Sequence, residues 1–357
     1  GIQIVQKAVA SKQTMPILTG IFLEAVKDKG LHLIGTDLEI GIEYYIEADI
    51  KEEGSIVVPA TSFSNLVREL PKEEINFEAN MEKYQINLSC SNSEFNLKGF
   101  DPNEYPQLPE INVPKTFKLP VQDLERLIRE VEFSNSKDET QPALTGSLFS
   151  VNENEIIMVS TNTYRLAFSK MEKNINMQDK EKIEIILPSK TLTELTRLLT
   201  GEEVEIFINS NYIKFIFEDI VIISRLIEGK FPNYRQVMPD EYNNKLFINK
   251  KLLQNAVKRA SLIAKMDSNT LKLNTKGQKL IINSANSEKG HAHEEVKIEK
   301  DGPDQTINID AGYLLDVLKV IDEEEVSIEL IGPLNPLSLK KVDSDSYIYL
   351  IMPVRSD

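Results

Sequence analysis

The sequence predicts an α+β fold made of three similar domains, and three observations support this prediction. First, related segments recur roughly every 125 residues: "GTDLEIGIE" from residue 35, "STNTYRLAF" from residue 160 and "SANSEKGHA" from residue 284. Second, each is followed by a strand-like run that leads into a helical pattern: "SIVVPATSFSNLVREL", "IEIILPSKTLTELTRLL" and "TINIDAGYLLDVLKVI". Third, the first two repeats end in the similar segments "EYPQLP" and "KFPNYRQVMP". A repeat of this length is a whole small domain, so three copies predict an arc or ring with a shared inner face.

The second repeat shows the order of elements most clearly. "TFKLP" alternates like a strand and precedes one apolar helical face, which is formed by Val121, Leu124, Leu127, Ile128 and Val131. "EIIMVST" and "RLAFSKM" are predicted strands around a turn at Asn162-Thr163, and "KIEIILP" leads into a second helix with Ser189 as its N-cap. "EVEIFIN", "YIKFIFED" and "IVIISRLI" follow as further strands. Two helices and mainly antiparallel strands per repeat predict helices on one face of the sheet, hence inside a ring.

We place the domain boundaries at 1–115, 116–240 and 241–357. Repeat two has 25 residues between Phe117 and Pro142, and repeat three as many between Leu246 and Leu271. The counterpart of Pro142 in repeat one is Pro16. Repeat one therefore lacks about ten residues at its start relative to the others. We expect its first strand and half of its first helix to be missing from this sequence.

Composition excludes several classes of protein. With 357 residues, 41% of them hydrophobic, the chain can bury ample core. It has no run of about 18 apolar residues that would span a membrane, and its start does not resemble a signal peptide. Cys90 is the only cysteine, which excludes a disulfide framework and favours a reducing cytoplasm. We expect Cys90 to be an ordinary packing residue.

The formal charge of −15 argues against a nucleic-acid partner until the charges are located along the chain. Helices are predicted at 1–12, 60–70, 122–134, 189–200, 249–265 and 311–321. They hold thirteen Lys or Arg and seven acidic residues, a net charge of +6, so the rest of the chain carries −21. Such a protein has one surface suited to phosphates and another that repels them. The alternative is an ordinary solvated helix surface, because Lys and Arg are good helix formers.

No catalytic motif stands out. The sequence lacks a Gly-rich phosphate loop, a nucleophile elbow and a dinucleotide-binding fingerprint. His291 and His293, beside Glu294 and Glu295, are a weak metal pattern without a third, distant ligand, so an exposed strand or loop is the better interpretation. The acidic runs at 71–77 and 322–327 follow helices and are typical of solvated turns. We predict no catalytic residues, no metal and no cofactor.

Six segments carry a resemblance to a known family: "TMPILTGIFLEA", "LIGTDLEIGIE", "IVVPA", "TNTYRLAF", "GKFPNYRQVMP" and "YLIMPVR". Together they closely resemble the bacterial DNA polymerase III beta subunit, the replicative sliding clamp, along essentially the whole chain. The resemblance implies clamp-type domains that assemble head to tail into a homodimeric ring of six domains around duplex DNA. It implies a processivity factor, not an enzyme, whose partners are double-stranded DNA of any sequence, the DNA polymerase III alpha subunit, the clamp loader, and other polymerases and repair proteins.

A clamp holds DNA topologically and must slide, so base-specific contacts would hinder it, whereas scattered cations give a salt-weakened attraction without register. The candidate channel residues are Lys12, Arg126, Arg129, Lys190, Arg197, Lys250, Lys258 and Arg259.

The resemblance also implies a cleft between repeats two and three that binds short peptides of partner proteins. Its matching residues are Leu144, Thr161, Thr163, Tyr164, Arg165, Leu166, Pro232, Gln236, Val237, Leu334, Pro336, Ile351, Met352, Pro353, Val354 and Arg355. Aliphatic side chains, rigid prolines and an adaptable methionine suit apolar peptide anchors. Plain core packing is the alternative for Leu144, Leu166, Val237 and Ile351. We expect few backbone hydrogen bonds beyond Leu350.

Three features depart from the family pattern. Thr161 is followed by Asn, Thr and Tyr where the family often has Asp, Gly and His, and the larger Tyr164 is expected to narrow the entrance. Gln236 stands where a basic residue is common in some members, and the chain ends on Ser356-Asp357 instead of a bulky residue. These departures concern which peptide is preferred.

Ring closure requires repeat one of one copy to meet repeat three of the other. The resemblance points to Phe95 and Leu97 on an edge strand, facing Leu262 and Ile263 on the opposing helix. Internal core is the alternative for these four residues. Two alternative functions remain at this stage: a scaffold of the same fold that never encircles DNA, and a metal-dependent hydrolase that uses His291 and His293.

Overall fold

The computed structural model describes residues 1–10, 15–112, 115–175, 181–265, 268–286 and 290–355. Lys12, a predicted channel residue, lies outside the described residues, as do Ser356 and Asp357. The described chain forms two compact units. The first unit contains most of 1–122 together with 190–226, and the second contains 123–175, 181–189 and 227–355. Repeat two is divided between the units, and the domain boundaries at 115 and 240 stay predictions.

Repeat one begins with a short helix that continues as a turn of 3-10 helix. Its second helix packs its apolar face inward through the fully buried Phe63. Repeat one consists of α1 Ile2–Val5, β1 Gly20–Val26, β2 Gly30–Thr36, β3 Ile40–Ile46, β4 Gly54–Pro59, α2 Ala60–Glu69, β5 Asn76–Asn80, β6 Gln85–Cys90 and β7 Ser93–Lys98.

Repeat two follows the order of elements predicted from the sequence. Its first helix has Asp123 in the first turn and Arg129 in the last, an arrangement that complements the helix dipole. Repeat two consists of β8 Lys115–Pro120, α3 Val121–Val131, β9 Gly146–Val151, β10 Glu155–Thr161, β11 Arg165–Glu172, β12 Ile183–Pro188, α4 Ser189–Leu198, β13 Glu203–Ile208, β14 Tyr212–Phe217 and β15 Ile220–Arg225.

Repeat three has both of its helices capped by side chains. Asn249 accepts a hydrogen bond from the Leu252 N–H, and Asp310 accepts one from the Tyr313 N–H, which satisfies donors that a helix start leaves free. Repeat three consists of β16 Asn244–Asn249, α5 Lys250–Ala264, β17 Thr270–Lys276, β18 Lys279–Asn286, β19 Gly290–Lys297, β20 Glu299–Asp301, β21 Thr306–Asp310, α6 Ala311–Val320, β22 Glu325–Leu330, β23 Leu337–Lys341 and β24 Tyr347–Ile351.

Each unit contains one large antiparallel sheet to which two repeats contribute. In the first unit the order is β4-β1-β2-β3-β15-β14-β13-β8, and in the second it is β12-β9-β10-β11-β24-β23-β22-β16-β20. We call the β3–β15 pairing the first joint and the β11–β24 pairing the second joint. At the first joint Gly41 lies opposite Ile223, and at the second Leu166 lies opposite Leu350. The sequence did not predict that sheets are shared between repeats.

Two smaller antiparallel sheets complete the units. The first unit holds β5-β6-β7, and the second holds β19-β18-β17-β21. In these sheets β7 and β19 are edge strands, and within the described residues neither pairs with another strand on its outer side.

The structure confirms the predicted fold class and the helices predicted from residue 60 onward, whereas the helix predicted at 1–12 is limited to Ile2–Val5 and a 3-10 turn at Gln6–Ala8. The five apolar residues that define one face of α3 are all buried, as a 3.6-residue period requires. Cys90 is also buried and behaves as the packing residue that the sequence predicted. Among the described residues, every helix is too short or too polar to cross a bilayer.

Candidate functional site

The predicted peptide-binding residues lie at the second joint, above a cluster of buried apolar side chains. That cluster includes Leu144, Leu166, Phe231, Tyr234 and Leu350. Leu144 and Leu166 are core residues, and Ile351 is fully buried as well. The burial of these three side chains supports the core alternative left open by the sequence, and they form the floor beneath the predicted site.

Above this floor several apolar side chains are exposed. Tyr164 is 64% exposed, Val237 48%, Leu334 75% and Met352 39%. Their exposure makes them candidates for contact with another molecule, since large apolar side chains grouped on a surface often mark interaction sites. The remaining predicted positions are exposed at Thr163, Pro232, Gln236 and Arg355, and half-buried at Thr161, Pro336, Pro353 and Val354.

A tight turn carries the exposed Tyr164, a predicted residue of the cleft. The Thr161 hydroxyl donates to the Arg165 carbonyl at 2.7 Å, and the Thr163 N–H donates to the Thr161 hydroxyl at 3.1 Å. The Asn162 side chain accepts from the N–H groups of Tyr164 and Arg165 at 3.1 and 3.0 Å. Side-chain acceptors of this kind fix a turn locally. They hold Thr163 at φ +74°, an unfavourable conformation for a β-branched residue.

The C-terminal segment is joined to neighbouring backbone. Ile351 is still part of β24 and pairs with Arg165 on one side and Leu337 on the other. Beyond it the Met352 N–H donates to the Tyr164 carbonyl at 2.9 Å, and the Val354 N–H donates to the Asn308 carbonyl at 2.8 Å. The described segment past Leu350 thus has the strand pairing of Ile351 and two further backbone hydrogen bonds, which is few, as expected, but enough to join it to neighbouring backbone.

Arg165, predicted as part of the cleft, directs its guanidinium into the protein. It forms an ion pair with Asp316 at 2.8 Å and donates to the Phe133 carbonyl. It also lies 4.6 Å from the ring centre of Tyr313, within the range of a cation–π contact. Burial raises the pKa of Asp316, but the hydrogen bonds from Lys319 and Arg165 outweigh it and hold that pKa below its usual range. Arg165 thus supports the turn from below.

Sequence reasoning missed this supporting network. Asp316 and Tyr313 lie 151 positions from their partners Arg165 and Asn162, so no local pattern reveals them. The only sequence signal is the presence of a polar face on α6, which many surface helices share.

The seven predicted channel cations among the described residues lie on α3, α4 and α5, and most form local ion pairs. Lys250 donates to the Ile321 carbonyl at 2.5 Å, and Lys258 is exposed with no ion pair in the described parts of the chain. The others form ion pairs within their own unit: Arg126 with Glu130, Arg129 with Asp322, Lys190 with Asp37, Arg197 with Glu194, and Arg259 with Glu294. The basic excess of the helices is therefore partly offset by neighbouring acids.

Two of the residues predicted for ring closure lie on the edge strand β7, and the other two lie on helix α5. Phe95 is 37% exposed and Leu97 half-buried, both on β7. On α5, Leu262 is 63% exposed and Ile263 half-buried. This helix packs on β18 and β19, and Arg259 reaches Glu294 of β19 through two hydrogen bonds of 2.8 and 2.6 Å.

The His291/His293 pattern lies on the exposed strand β19. The His293 Nδ1 is 2.8 Å from Asn283 Oδ1, and its Nε2 is 3.6 Å from Glu295. Within the described ranges, His, Cys, Asp and Glu form no group of three or more suited to holding a metal ion. The hydrolase alternative gains no support from this geometry.

Comparison with known proteins gives matches along the whole chain. The DNA polymerase III beta subunit family matches with its N-terminal domain over residues 1–109, its central domain over 118–233 and its C-terminal domain over 235–355. The beta sliding clamp of Staphylococcus epidermidis is 36% identical over 362 residues, covering 98% of this chain and 95% of that protein. The beta sliding clamp of Staphylococcus aureus is 35% identical over the same length and coverage.

Solved structures agree with these matches. The DNA polymerase sliding clamp from Bacillus subtilis has a TM-score of 0.94 and 32% identity, covering 100% of this chain and 96% of that one. A putative DNA polymerase III beta subunit from Eubacterium rectale has a TM-score of 0.93, 33% identity and the same coverage. With its three domains matched in order, the chain belongs to the DNA polymerase III beta subunit family, the beta sliding clamps, and is a non-enzymatic clamp.

Proposed function

We propose that two copies of this chain close into a ring around duplex DNA in the cytoplasm, where the ring tethers the replicative polymerase. The same ring docks the clamp loader, other polymerases and repair proteins through short peptides. Membership of the clamp family supports the general role. The residues named below are our proposals for how this chain performs it.

The observation that carries the proposal is the repeated way in which sheets are joined. In the first unit the sheet consists of two groups of four strands, β4-β1-β2-β3 and β15-β14-β13-β8. At the first joint β3, the end strand of one group, pairs with β15, the end strand of the other. At the second joint the equivalent strands β11 and β24 pair in the same manner. The four-stranded sheet β19-β18-β17-β21 has the same strand order as the groups that end on β3 and β11, so β19 is the equivalent of these two strands. In the three-stranded sheet β5-β6-β7, the strand equivalent to β15 and β24 is β7.

A second copy supplies the missing pairing. We infer that β7 of one copy lies beside β19 of the other, with Phe95 and Leu97 facing Leu262 and Ile263. The contact is heterologous and occurs twice, so it closes a ring of six domains. It also covers two edge strands that are otherwise open to unwanted pairing.

DNA contact is assigned to the helices. The basic excess of +6 on the predicted helices and the acidic remainder of −21 support a channel that attracts phosphates and an exterior that repels them. The proposed channel residues are the eight cations identified from the sequence. Such contacts carry no base preference, which suits sliding.

Peptide docking is assigned to the second joint. The exposed apolar side chains Tyr164, Val237, Leu334 and Met352 above a buried floor support an anchor pocket for large apolar peptide side chains. Neutral Gln236 and the bulky Tyr164 are expected to tune which peptide binds.

Topological binding distinguishes a clamp from a scaffold that never encircles DNA. The protein is loaded onto a nicked circular plasmid with a bacterial clamp loader and ATP, and the complex is isolated by gel filtration. We expect cutting the plasmid at one site to release the protein, because a ring slides off a free end. Retention that is the same on circular and linear DNA would refute encirclement and favour the scaffold.

A further inference from the structure

The two internal joints pair their strands in the same register. At the first joint Ile42 of β3 lies opposite Ile222 of β15, and at the second Ala167 of β11 lies opposite Tyr349 of β24. All four side chains are fully buried, so they belong to the packed face of each joint. The equivalents of these residues on β19 and β7 therefore define the register of a third joint.

The equivalent of Ile42 and Ala167 on β19 is Ala292. In each repeat the second residue of the recurring segment pairs with the strand that follows it. These pairs are Thr36 with Gly41, Thr161 with Leu166 and Ala285 with His291. The next residue along the chain is Ile42, Ala167 or Ala292, respectively.

The equivalent of Ile222 on β7 is Phe95. Just beyond these two strands, the Phe100 N–H donates to the Val57 carbonyl at 2.8 Å, and the Ile227 N–H donates to the Ile186 carbonyl at 3.0 Å. Val57 and Ile186 are themselves equivalent, because each lies two residues before the end of the strand that enters the second helix of its repeat. Phe95 and Ile222 each lie five residues before the donor, which makes them equivalent too.

We propose that the ring closes in this same register, with Phe95 of one copy opposite Ala292 of the other, and that closure is tighter at acid pH because Glu94 then faces a protonated His293. Since the strands are antiparallel, the residue before Phe95 lies opposite the residue after Ala292, and these two are Glu94 and His293. The inference rests on the proposed ring and adds to it the register and the response to pH. Each ring contains the pair twice.

The exposure of Phe95 and Ala292 in the single chain agrees with this register. Phe95 lies opposite the buried Leu88 of β6, so it is on the packed face of β7, yet it is 37% exposed. Ala292 is half-buried and lies on the same face of β19 as Glu294, which binds Arg259 of α5. The equivalents of Phe95 and Ala292 at the internal joints are fully buried, so a second copy in this register covers the one pair that a single chain leaves open.

Glu94 and His293 lie on the outer faces of their strands, because side chains alternate between the two faces. Both are exposed, and Glu94 forms no ion pair with any residue that the structure describes. A register shifted by one residue would set packed-face side chains against outer-face side chains. The proposed register avoids this and places a carboxylate directly opposite an imidazole.

The hydrogen bonds of His293 favour its protonated form beside a carboxylate. Its Nδ1 lies 2.8 Å from Asn283 Oδ1, an acceptor, so this nitrogen carries a hydrogen. In the neutral ring Nε2 then has none, and a carboxylate has no hydrogen to donate to it. Protonation turns Nε2 into a donor, which Glu94 of the second copy can accept. Histidine ordinarily gains its proton between about pH 8 and pH 5.

Several other charged groups surround this position. On the same face, Glu295 lies 3.6 Å from His293 Nε2 and is paired with Lys279 of β18 at 2.6 Å. Across the sheet, Glu294 is paired with Arg259 of α5. The remaining groups are His291, two residues away on β19, the exposed Lys272 of β17 opposite Asn283, and Lys98, four residues beyond Glu94 on β7. Glu94 is thus the carboxylate that only the second copy brings to His293.

Disulfide cross-linking tests the register. The full-length chain carries Cys90→Ser, which removes its only native thiol, together with Asn96→Cys and His291→Cys, the next outer-face pair in this register. Directly opposed Cα atoms of an antiparallel pair are about 5 Å apart, within the range of a disulfide. We expect mild oxidation to give a covalent dimer on a non-reducing denaturing gel. The control, Asn96→Cys with His293→Cys in the same background, is offset by two residues and should link far less.

The affinity of the two copies tests the response to pH. The dissociation constant of the dimer is measured at pH 8 and at pH 5.5 by energy transfer between labelled copies. Because two Glu94–His293 pairs act in each ring, the wild type should bind about tenfold more tightly at pH 5.5. His293→Gln and Glu94→Gln should each remove most of this difference, whereas His291→Gln, opposite the uncharged Asn96, should keep it.

Failure of this inference differs from failure of the ring. If the protein is monomeric at both pH values and neither cysteine pair links, the proposed ring fails and the inference fails with it. If the protein is dimeric but the offset pair links as readily as the opposed pair, the register is overturned and the ring stands. A dimer that links as expected but binds equally at both pH values, or whose pH response survives both glutamine variants, would overturn the role of His293.

Discussion

The guanidinium of Arg165 lies under the turn at 161–164, between the rings of Tyr313 and Phe133 and paired with Asp316. A half-buried ion pair of this kind stabilises chiefly through its hydrogen bonds, and removing one partner leaves the other charge poorly compensated. The turn above it carries Tyr164, whose position depends on the backbone of Arg165. Arg165, which the family pattern associates with the proposed cleft, thus contacts the protein interior and supports the turn that carries Tyr164.

We predict that Asp316→Asn lowers stability only while the wild-type carboxylate is charged. Because the pKa of Asp316 is lowered on folding, its contribution is complete above its ordinary value of 3.8 and is lost as the pH falls through the still lower folded value. In urea at pH 7 the free energy of unfolding of the variant should therefore be about 1–3 kcal/mol lower than that of the wild type. This difference should disappear at a pH below the folded-state pKa of Asp316.

The matched control for this prediction is Asp322→Asn. Asp322 also pairs with an arginine, Arg129, but its side chain is 71% exposed. An exposed pair contributes about 0–1 kcal/mol, so this variant should unfold nearly as the wild type does. If the free energies of unfolding of Asp316→Asn and the wild type differ equally at neutral and acid pH, the charged carboxylate has no such role.

At the scale of elements, the helices and most strands could be predicted because their periods are local. The apolar face of α3 recurs every three to four residues, and β14 alternates between buried and half-buried positions along its length. The sharing of sheets between repeats could not be predicted, since pairing depends on residues more than a hundred positions apart. For the same reason the sequence could not decide whether Leu166 and Ile351 contact a peptide or belong to the core. In the structure both side chains are buried.

The C-terminal segment gives a prediction that separates binding from folding. Deleting Met352 through Asp357 removes, within the described residues, the backbone hydrogen bonds of the Met352 and Val354 N–H groups. The loss should be about 1–3 kcal/mol, with the fold and the dimer retained. Binding of a peptide that carries Gln followed by paired Leu or Phe should fall by more than about tenfold, or 1.4 kcal/mol.

A shorter truncation serves as the control. Removing only Ser356 and Asp357 leaves both hydrogen bonds and should leave thermal unfolding and peptide binding unchanged. Normal peptide binding by the longer truncation, measured by fluorescence anisotropy, would remove this segment from the proposed site. Unfolding of that variant would assign the segment to the fold instead.

The channel helices give a prediction about where positive charge is needed. Replacing Arg126, Arg197 and Lys258 by Ala should weaken retention on circular DNA and reduce the salt dependence of binding by up to about three units of slope. The control removes the same charge from outside the helices, at the exposed residues Lys29, Lys118 and Lys272. If both triple variants lose retention equally, net charge matters and the helices hold no special position.

At the scale of the whole molecule, three repeats give two internal joints, and within the described residues β7 and β19 are the strands equivalent to the joint strands that have no such partner. Whether that pair closes on a second copy decides between a ring and an open arc. The repeat itself was visible in the sequence, and so was the expectation of a ring. The resemblance pointed to the strand that carries Phe95 and Leu97, whereas the proposal that β7 pairs with β19 rests on the order of strands in the sheets.

We predict that Leu262→Asp together with Ile263→Asp yields monomers. The two side chains lie beside the open edge formed by β19, and burying two carboxylates without partners in an interface costs several kcal/mol. Sedimentation equilibrium should give a mass near the 40.5 kDa of one chain, whereas the wild type should give about twice that value.

The control is Leu252→Asp in the first turn of the same helix, at a leucine that is 55% exposed, and this variant should remain dimeric. Because a monomer encloses nothing, the double variant should also lose retention on circular DNA. A double variant that stays dimeric would place the ring contact elsewhere on the molecule.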